Sequence, residues 1–571
     1  MKLQVRDVPP RSVWALEQSG VHPLLARLYA ARGVHDAQQL QTELRLLLPP
    51  SGLKGTDAAA SLLANAIAQQ LRICIVADYD CDGATACAVA LRGLALLGAQ
   101  HLSFIVPDRV VDGYGLTPEI AKRVHASGAQ VLITVDNGIA SVSGVQEAHR
   151  LGMQVLITDH HLPGSELPTP DALVNPNQPG CSFESKSMAG VGVMFYVLLA
   201  LRALMRERGI FGPDSEPKLD SLLPLVALGT LADVVLLDAN NRRLVSQGLL
   251  RMRRGHMPAG LAALFKVAGR DPAQASSQDM GFAIGPRINA AGRLSDMSLG
   301  IECLRTDDAE LASRLASQLD AINRERRSLE GDMREQALLL AESLMDQEEE
   351  TPAALCVFDE DFHEGVVGII AGRLKDLHYR PCFVFASSQS QGQAVLKGSG
   401  RSIAGFHLRD ALDAIAKRHP NLLLRFGGHA MAAGCTLLED DLALFEMALQ
   451  DIASEWLDAA TLAQTLSTDG SLAQQYLRPD LVKELQSQVW GQGFAAPVFQ
   501  DTVHVMSQKI VGEKHLSLKL QLHGQVVDAI WFGRTQSLPV QAILAYRLDI
   551  NHWQGMDKVQ LQIEAMQPFY N

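Results

Sequence analysis

One stretch of the sequence, Ile73–Ala90 (ICIVADYDCDGATACAVA), restricts the possible folds and functions of the chain most. Its short run rich in Ile and Val, followed by helical spacing, predicts a buried parallel strand that turns into a helix. Three aspartates lie at alternate positions between them, Asp78, Asp80 and Asp82. Their carboxylates repel one another without cations, and hard cations such as Mg²⁺ or Mn²⁺ prefer oxygen ligands. Taken alone, the stretch is explained equally well by a solvated Asp-rich turn.

Composition excludes several classes of protein. A hydrophobic share of 47% and a charged share of 20% in 571 residues are those of an ordinary globular protein with several domains. The eight cysteines form no CxxC pair, which indicates reduced thiols and predicts a cytoplasmic location. The sequence predicts no signal peptide and no transmembrane segment, so we expect no membrane partner. The net charge of −13 argues against indiscriminate coating of nucleic acid but allows a local basic groove.

Strands and helices alternate from the opening stretch onward. The pattern predicts strands at Ile73–Ala77, Leu102–Val106, Val131–Val135 and Val155–Ile157, with a helix after each of the first three. This βαβα order is typical of a parallel sheet covered by helices. In such a sheet, ligands bind at the carboxyl ends of the strands.

Acidic and imidazole side chains recur at that edge of the predicted sheet. Asp136 follows the third strand, and Asp159, His160 and His161 follow the fourth. Asp233, in the apolar segment LGTLADVVLL, is a further candidate because a buried aspartate needs a partner. Two divalent cations, Mg²⁺ or Mn²⁺, would explain this number of ligands, and such a pair catalyses phosphoryl transfer. The predicted metal ligands are Asp80, Asp82, Asp136, His160 and Asp233.

Three neighbours of these ligands are predicted to act in catalysis. Asp78 is expected to be a further ligand or a hydrogen-bonding partner. Asp159 is expected to orient a neighbouring histidine. His161 is expected to contact the phosphate or to protonate the leaving oxygen.

The motifs DYDCDG, VDNG, DHH and GTLADVV, in this order, resemble the four metal motifs of the DHH phosphoesterase superfamily. Four later motifs extend the resemblance: FAIGPRINAAGR at Phe282–Arg293, FDEDFHEGVVGIIAGR at Phe358–Arg373, SGRS at Ser399–Ser402 and RFGGHAMAAG at Arg425–Gly434. They are similar to those of the superfamily's bacterial exonucleases, which degrade single-stranded DNA from its 5′ end. The resemblance implies a DHH core that supplies the metals and a smaller DHHA1 domain that closes over the nucleotide.

The fold class expected is α/β, with an all-β module at the carboxyl end. Alternation in HLSLKLQL places Leu516, Leu518, Leu520 and Leu522 on one face of a strand, and about five such strands predict an OB-like barrel. A long helix is expected to join the parallel-sheet DHH domain to the smaller α/β DHHA1 domain. The predicted divisions are a helical segment at 1–50, the DHH domain at 51–305, the connecting helix at 306–350, the DHHA1 domain at 351–460 and the OB-like domain at 461–571.

Polar and Gly-rich loops supply the candidate contacts to DNA and phosphate. Guanidinium groups pair with phosphate, aromatic rings stack on bases, and paired glycines let backbone amides approach an anion. For the barrel, surface charges and a core Trp explain the residues almost equally well. The candidates are Arg109, Tyr114, Arg287, Asn289, Arg293, Arg373, Arg401, Ser402, Gly427, Gly428, His429, Lys514 and Lys519, with Lys509, Trp531 and Arg534 as further barrel candidates.

The expected function is metal-dependent hydrolysis of single-stranded DNA, 5′→3′, to mononucleotides. The resemblance implies single-strand-binding protein and a RecQ-type helicase as partners in recombination and mismatch repair. One alternative is a small-substrate DHH phosphoesterase that acts on oligonucleotides, cyclic dinucleotides or polyphosphate. Another is a non-catalytic nucleic-acid scaffold on a decayed DHH core, as in eukaryotic replication assemblies.

Overall fold

The structure, a computed structural model, describes residues 1–108, 112, 115–212, 215–347, 352–390, 393–458, 461–553 and 556–568. The chain forms two compact units. One comprises Met1–Gln4, Arg324–Ser467 and Ala565–Gln567, and the other is built from Val5–Asn323 and Thr468–Glu564. None of the described helices is both long enough and apolar enough to cross a membrane.

The amino-terminal segment contains a strand as well as helices. Strand β1 (Lys2–Val5) precedes α1 (Pro10–Gln18) and α2 (Pro23–Ala30). Residues 1–50, predicted as a helical segment, thus contain β1 as well as α1 and α2. That strand pairs with a distant one, β12 (Thr465–Thr468), and no local pattern signals such a partner.

A five-stranded parallel sheet forms the centre of the larger unit. Its strands are β2 (Ile73–Ala77), β3 (Leu102–Ile105), β4 (Val131–Val135), β5 (Gln154–Thr158) and β6 (Ala172–Val174). Their order is β3-β2-β4-β5-β6, and every neighbouring pair is parallel. All five residues of β2 and all five of β4 are buried, as expected for strands covered on both faces. The predicted parallel sheet is confirmed.

Helices cover this sheet and continue the larger unit. Those that alternate with the strands are α3 (Thr56–Ala68), α4 (Cys81–Leu96), α5 (Pro118–Ala126) and α6 (Val142–Arg150). Those after the sheet are α7 (Gly190–Glu207), α8 (Leu223–Ala232), α9 (Ala239–Arg253), α10 (Ala259–Val267), α11 (Ser277–Asp279), α12 (Gly285–Leu294) and α13 (Ser298–Arg305). A π-helical turn, Met280–Ile284, leads directly into α12. The packing of α7 and α8 against α4 brings distant sequence segments close to the sheet edge.

A 39-residue helix, α14 (Ala309–Gln347), leads into the smaller unit and confirms the predicted connecting helix. The smaller unit carries the strands β7 (Leu355–Phe358), β8 (Cys382–Ser390), β9 (Gln393–Arg401), β10 (Arg425–Gly428) and β11 (Ala432–Leu438). Their order is β10-β11-β9-β8-β7; β7 and β8 are parallel, and the other pairs are antiparallel. The helices are α15 (Val367–His378), α16 (Leu408–Arg418) and α17 (Leu442–Trp456). This α/β unit agrees with the predicted DHHA1 fold.

The carboxyl-terminal strands close into a barrel, which confirms the predicted OB-like module. After α18 (Pro479–Ser487) come β13 (Phe499–Val511), β14 (His515–Leu522), β15 (Gln525–Trp531), β16 (Gln541–Trp553) and β17 (Met556–Pro568). The closed order is β13-β14-β15-β17-β16. The four alternate leucines of β14 are all buried. The segment before the barrel is tied to the turn after α2, because Arg32 donates two hydrogen bonds to the buried carboxylate of Asp469.

Candidate metal centre

Acidic and imidazole side chains from four segments of the larger unit meet at one edge of the parallel sheet. Asp136 follows β4, His160 follows β5, and Asp233 ends α8. The Nε2 atom of His160 lies 3.0 Å from Asp136 Oδ1, 3.5 Å from Asp233 Oδ2 and 4.0 Å from Asp82 Oδ2. The strand ends converge as the parallel topology requires. The structure therefore brings together residues that lie up to about 150 positions apart in the sequence.

The ligand atoms fall into three overlapping groups, each with its atoms within 4.8 Å of one another. The groups are Asp136, His160 and His161; Asp82, His160 and Asp233; and Asp78, Asp80 and Asp136. Five of these residues are the predicted metal ligands, and two of them, Asp136 and His160, belong to two groups each. Carboxylate oxygens and imidazole nitrogen together suit Mg²⁺ or, better, Mn²⁺. The donor set fits a divalent cation.

Burial of these carboxylates supplies a second reason for a cation. Burial, followed by the charge of Asp80, raises the pKa of Asp78 to about 8 and that of Asp82 to about 7. Burial and the other aspartates hold the pKa values of Asp136 and Asp233 well above the ordinary range. Each shift means that the charged form is unfavourable in the protein alone, and a bound cation removes that cost.

Helix α7 holds the carboxylate of Asp82 by backbone groups. The amides of Gly190 and Val191 donate to its two oxygens at 2.6 and 2.9 Å. A Cβ at Gly190 would lie 2.6 Å from Asp136 Oδ1, and one at Gly229 would lie 2.9 Å from Asp82 Oδ1. Both glycines thus leave the space that the ligands occupy. The sequence reasoning missed them, and their only signal is a Gly inside each of two unusually apolar helical segments.

The loop after β2 is held by two further hydrogen bonds. Asp80 is the N-cap of α4, and its Oδ1 accepts from the Gly83 amide at 3.0 Å. The Cys81 amide donates to Asn289 Oδ1 at 2.7 Å, so helix α12 contacts the loop between Asp80 and Asp82.

Asp159 and His161 form a pair beside the ligands. His161 Nδ1 lies 2.8 Å from Asp159 Oδ1, which also accepts from the His160 and His161 amides. Burial acts against both charges, but the hydrogen bond outweighs it: the pKa of His161 is raised to about 9, and that of Asp159 is lowered. The predicted orienting role of Asp159 has the geometry it needs, with His161 as its partner.

The structure gives the GPRINAAGR segment a different setting from the one predicted. Arg287 is buried; its Nε donates to Asp320 at 2.9 Å, and its Nη1 donates to the Ala283 carbonyl. Asn289 contacts the loop after β2, whereas Arg293 is half-buried near the end of α12. The contacts of Arg287 and Asn289 are those of side chains that hold helices together. Arg109 and Tyr114 lie outside the described residues.

The smaller unit brings several predicted contacts to the surroundings of α15 and the β10–β11 hairpin. Arg373 is exposed and bonded to Glu330, while Arg401 is half-buried and donates to the Gly400 carbonyl. His429 is exposed at the hairpin after Gly427 and Gly428, and Gly428 has a φ of +135°. Ser402 differs from the prediction: it is buried, and its hydroxyl donates to the Phe406 carbonyl at 2.6 Å. That hydroxyl faces a turn and not an open surface.

Barrel candidates lie on the strands β13–β15 and in the turns that follow β13 and β15. Lys509, Lys514 and Lys519 are exposed. Arg534 lies over the half-buried ring of Trp531, with 5.5 Å between guanidinium and ring centroid. An exposed cation over an aromatic ring is a feature of many single-strand-binding surfaces. The described contacts do not distinguish these residues from other surface charges as DNA contacts.

Comparisons with known proteins identify the same three modules. The DHH family N-terminal domain matches residues 72–230, the DHHA1 domain residues 350–455 and the RecJ OB domain residues 468–565. The chain is 47% identical over 555 residues to the single-stranded-DNA-specific exonuclease RecJ of Dickeya dadantii, which covers 95% of this chain and 96% of that protein.

Two solved RecJ structures also match this chain over its whole length. The crystal structure of RecJ in complex with Mn²⁺ from Thermus thermophilus matches with a TM-score of 0.81 and 29% identity, over 100% of this chain and 80% of that one. Its Mg²⁺ complex matches with a TM-score of 0.75 and 28% identity, over 100% of this chain and 79% of that one. The fold predicted from the sequence is confirmed in its order and type of domains.

Proposed function

This chain belongs to the RecJ family of single-stranded-DNA-specific exonucleases, and from that premise we propose that it degrades single-stranded DNA from the 5′ end to mononucleotides. The observation that carries the chemistry is the overlap of the ligand groups at Asp136 and His160. A set of ligands that shares members in this way suits two divalent cations held side by side.

The proposed ligands of the two cations, Mg²⁺ or Mn²⁺, are Asp80, Asp82, Asp136, His160 and Asp233. When bound, such cations lower the pKa of water and stabilise the charge that develops on the phosphoryl oxygens. The protein's own part is to hold five ligands in place and to exclude bulk water from buried carboxylates. Asp78, whose Oδ1 accepts from the Tyr79 amide at 2.7 Å, is a further ligand or a hydrogen-bonding partner.

His161 is the proposed general acid. Burial lowers the pKa of His161, but the hydrogen bond to Asp159 and the charges of Asp159, Asp78 and Asp80 raise it to about 9 in the cation-free protein, so His161 is the proposed source of the proton for the leaving oxygen. Asp159 holds the ring by accepting from Nδ1 at 2.8 Å. The alternative role for His161 is a hydrogen bond to the scissile phosphate.

The polymer substrate is bound by groups outside the metal centre. In the smaller unit, the exposed Arg373 and His429, the half-buried Arg401 and the Gly427-Gly428 amides are the proposed phosphate contacts. In the larger unit, Arg109, Tyr114 and Arg293 are proposed to bind the DNA end, and Lys514 and Lys519 the strand along the barrel. A small-substrate phosphoesterase has no use for such a barrel, which favours DNA over the alternative.

The proposed setting is DNA recombination and repair in the cytoplasm. Single-strand-binding protein and a RecQ-type helicase are the proposed partners, since one coats and the other produces the single strands on which the enzyme acts.

A labelled single strand tests the proposal. With a 5′-labelled strand and Mg²⁺ or Mn²⁺, the first labelled product is expected to be a mononucleotide, and a strand of a few nucleotides is expected to be cut more slowly. Release of label in long fragments, or equal rates on long and very short strands, would contradict the proposed polarity and polymer substrate. The Asp80→Ala/Asp82→Ala double variant is expected to retain DNA binding and to lose cleavage.

A further inference from the structure

Helix α12 makes direct contact with the metal-binding loop through a side chain that the family motif suggests for DNA. The Oδ1 atom of Asn289 accepts a hydrogen bond of 2.7 Å from the Cys81 amide. Cys81 separates two proposed ligands, Asp80 and Asp82, and it is 1% exposed. The oxygen must be the acceptor because its partner is an N–H group.

This hydrogen bond caps a backbone amide in the first turn of α4. The first amides of a helix have no carbonyl partner within the helix. In α4 the N-cap Asp80 accepts from the Gly83 amide, and Asn289 accepts from the amide of Cys81, the first helical residue. The second cap comes from a residue 208 positions away. It fixes the peptide that joins Asp80 to Cys81, and with it the relative orientation of the two carboxylates.

A second contact on the same face of α12 holds the helix against the loop. Gly292 lies one turn after Asn289, and a Cβ there would collide with the carbonyl oxygen of Tyr79. The buried ion pair of Arg287 with Asp320 anchors the beginning of α12 to α14. Helix α12 is therefore a support for the loop, fixed at its own start.

We propose that Asn289 is a positioning residue of the metal centre, whose carboxamide oxygen sets the geometry of the loop and thereby the affinity for divalent cations. The inference deepens the proposed function, because it rests on the assignment of Asp80 and Asp82 as ligands. It also separates Asn289 from the DNA contacts that the sequence motif suggests. Residues that orient metal ligands typically change metal affinity by about 10- to 100-fold when they are replaced.

Mn²⁺ binding to the full-length protein without DNA tests the proposal by titration calorimetry and by electron paramagnetic resonance of free Mn²⁺. Asn289→Leu keeps the volume and removes the acceptor, and it is expected to weaken Mn²⁺ binding about tenfold or more. Asn289→Asp keeps the acceptor but adds a negative charge beside Asp80 and Asp82, and it is expected to retain more Mn²⁺ affinity than Asn289→Leu. Asn65→Leu is the matched control, since the one hydrogen bond described for the Asn65 side chain is an exposed contact from Arg208 at 3.2 Å.

The outcomes separate this inference from the proposed function. Wild-type protein that binds no Mn²⁺ would overturn the metal centre itself. Wild-type binding that Asn289→Leu leaves unchanged would overturn only the positioning role. Equal losses in Asn289→Leu and Asn65→Leu would show a general loss of structure and would overturn it as well. A residue that only bound DNA would change the KM for the strand and leave the Mn²⁺ affinity of the free protein at its wild-type value.

Discussion

Replacing Gly190 by alanine is expected to weaken cation binding while the protein still folds. Gly190 is the first residue of α7, and a Cβ there would lie 2.6 Å from both Cβ and Oδ1 of Asp136 and 2.8 Å from its Cα. Asp136 belongs to a buried loop next to a fully buried strand, so it has little room to move. The added methyl group must therefore displace either a ligand or the start of α7, whose amides hold Asp82.

The magnitude follows from two opposing effects. An added carbon in a tightly packed site costs about 1 to 3 kcal/mol. Alanine is favoured over glycine in a helix by up to about 1 kcal/mol, which offsets part of that cost. For a cooperative unit this large, the net change corresponds to a fall in Tm of only about 1 or 2 °C. Cation affinity is more sensitive, because two ligands shift together, and we expect it to fall about 10- to 100-fold.

Gly192 provides the matched control on the same helix. A Cβ at Gly192 would meet nothing closer than Met188 at 3.8 Å, which is an ordinary contact. Gly192→Ala is therefore expected to keep Mn²⁺ affinity and to raise Tm slightly. The assay is calorimetric titration of the DNA-free protein with Mn²⁺, together with thermal unfolding. A Gly190→Ala protein that binds Mn²⁺ as tightly as Gly192→Ala would refute the reasoning.

Two further predictions concern pH and the attachment of the barrel. Because the pKa values of Asp78 and Asp82 are raised to about 8 and about 7, the folded cation-free protein binds more protons than the unfolded chain, and its stability must fall as pH rises from about 4 through 8. Added Mg²⁺ should raise the Tm of the wild-type protein more at about pH 8 than at about pH 6. If Mg²⁺ raised the Tm of the Asp78→Asn/Asp82→Asn variant as much as that of wild type, these two residues would not belong to the cation site. Arg32→Ala leaves the buried carboxylate of Asp469 with only the more distant Arg6 as its described cationic partner. We expect the free energy of unfolding, measured in urea, to fall by about 3 kcal/mol. Arg6→Ala, which removes a partly exposed contact of 3.8 Å to the same carboxylate, should cost less, and the reverse order would exclude the ion pair as the main attachment.

Local periodicity predicted the parallel sheet and the strands of the barrel. The buried run at Ile73–Ala77 and the alternation of Leu516–Leu522 each reveal which face is covered, because burial repeats with the period of the backbone. The convergence of Asp136 and His160 followed from parallel topology, which places strand ends at one edge. The same reasoning could not find β1, since its partner β12 lies more than 450 residues away.

Sequence patterns did not predict the contacts between helices that lie far apart in the chain. Gly190 and Gly229 are needed because their helices pass the ligands of other segments at close range, and spacing within their own segments does not encode that proximity. Arg287 looked like a phosphate contact because it lies in a Gly-flanked motif, yet Asp320 of another helix takes up its guanidinium. Asn289 binds a backbone amide, and a backbone partner leaves no signal in a sequence.

Two features of the candidate metal centre raise the free energy of the folded protein: the backbone conformation of Asp136 and the burial of several aspartates. Asp136 has a φ of +62°, a left-handed conformation that costs free energy in residues with a side chain, although Asp tolerates it better than most. Burial first, and then the charges of the neighbouring aspartates, hold the pKa values of Asp136 and Asp233 well above the ordinary range. The fully buried strands β2 and β4 and the amides of α7 hold this arrangement in place before any cation binds. We therefore expect cation binding at the proposed ligands to add its free energy to the stability of the larger unit.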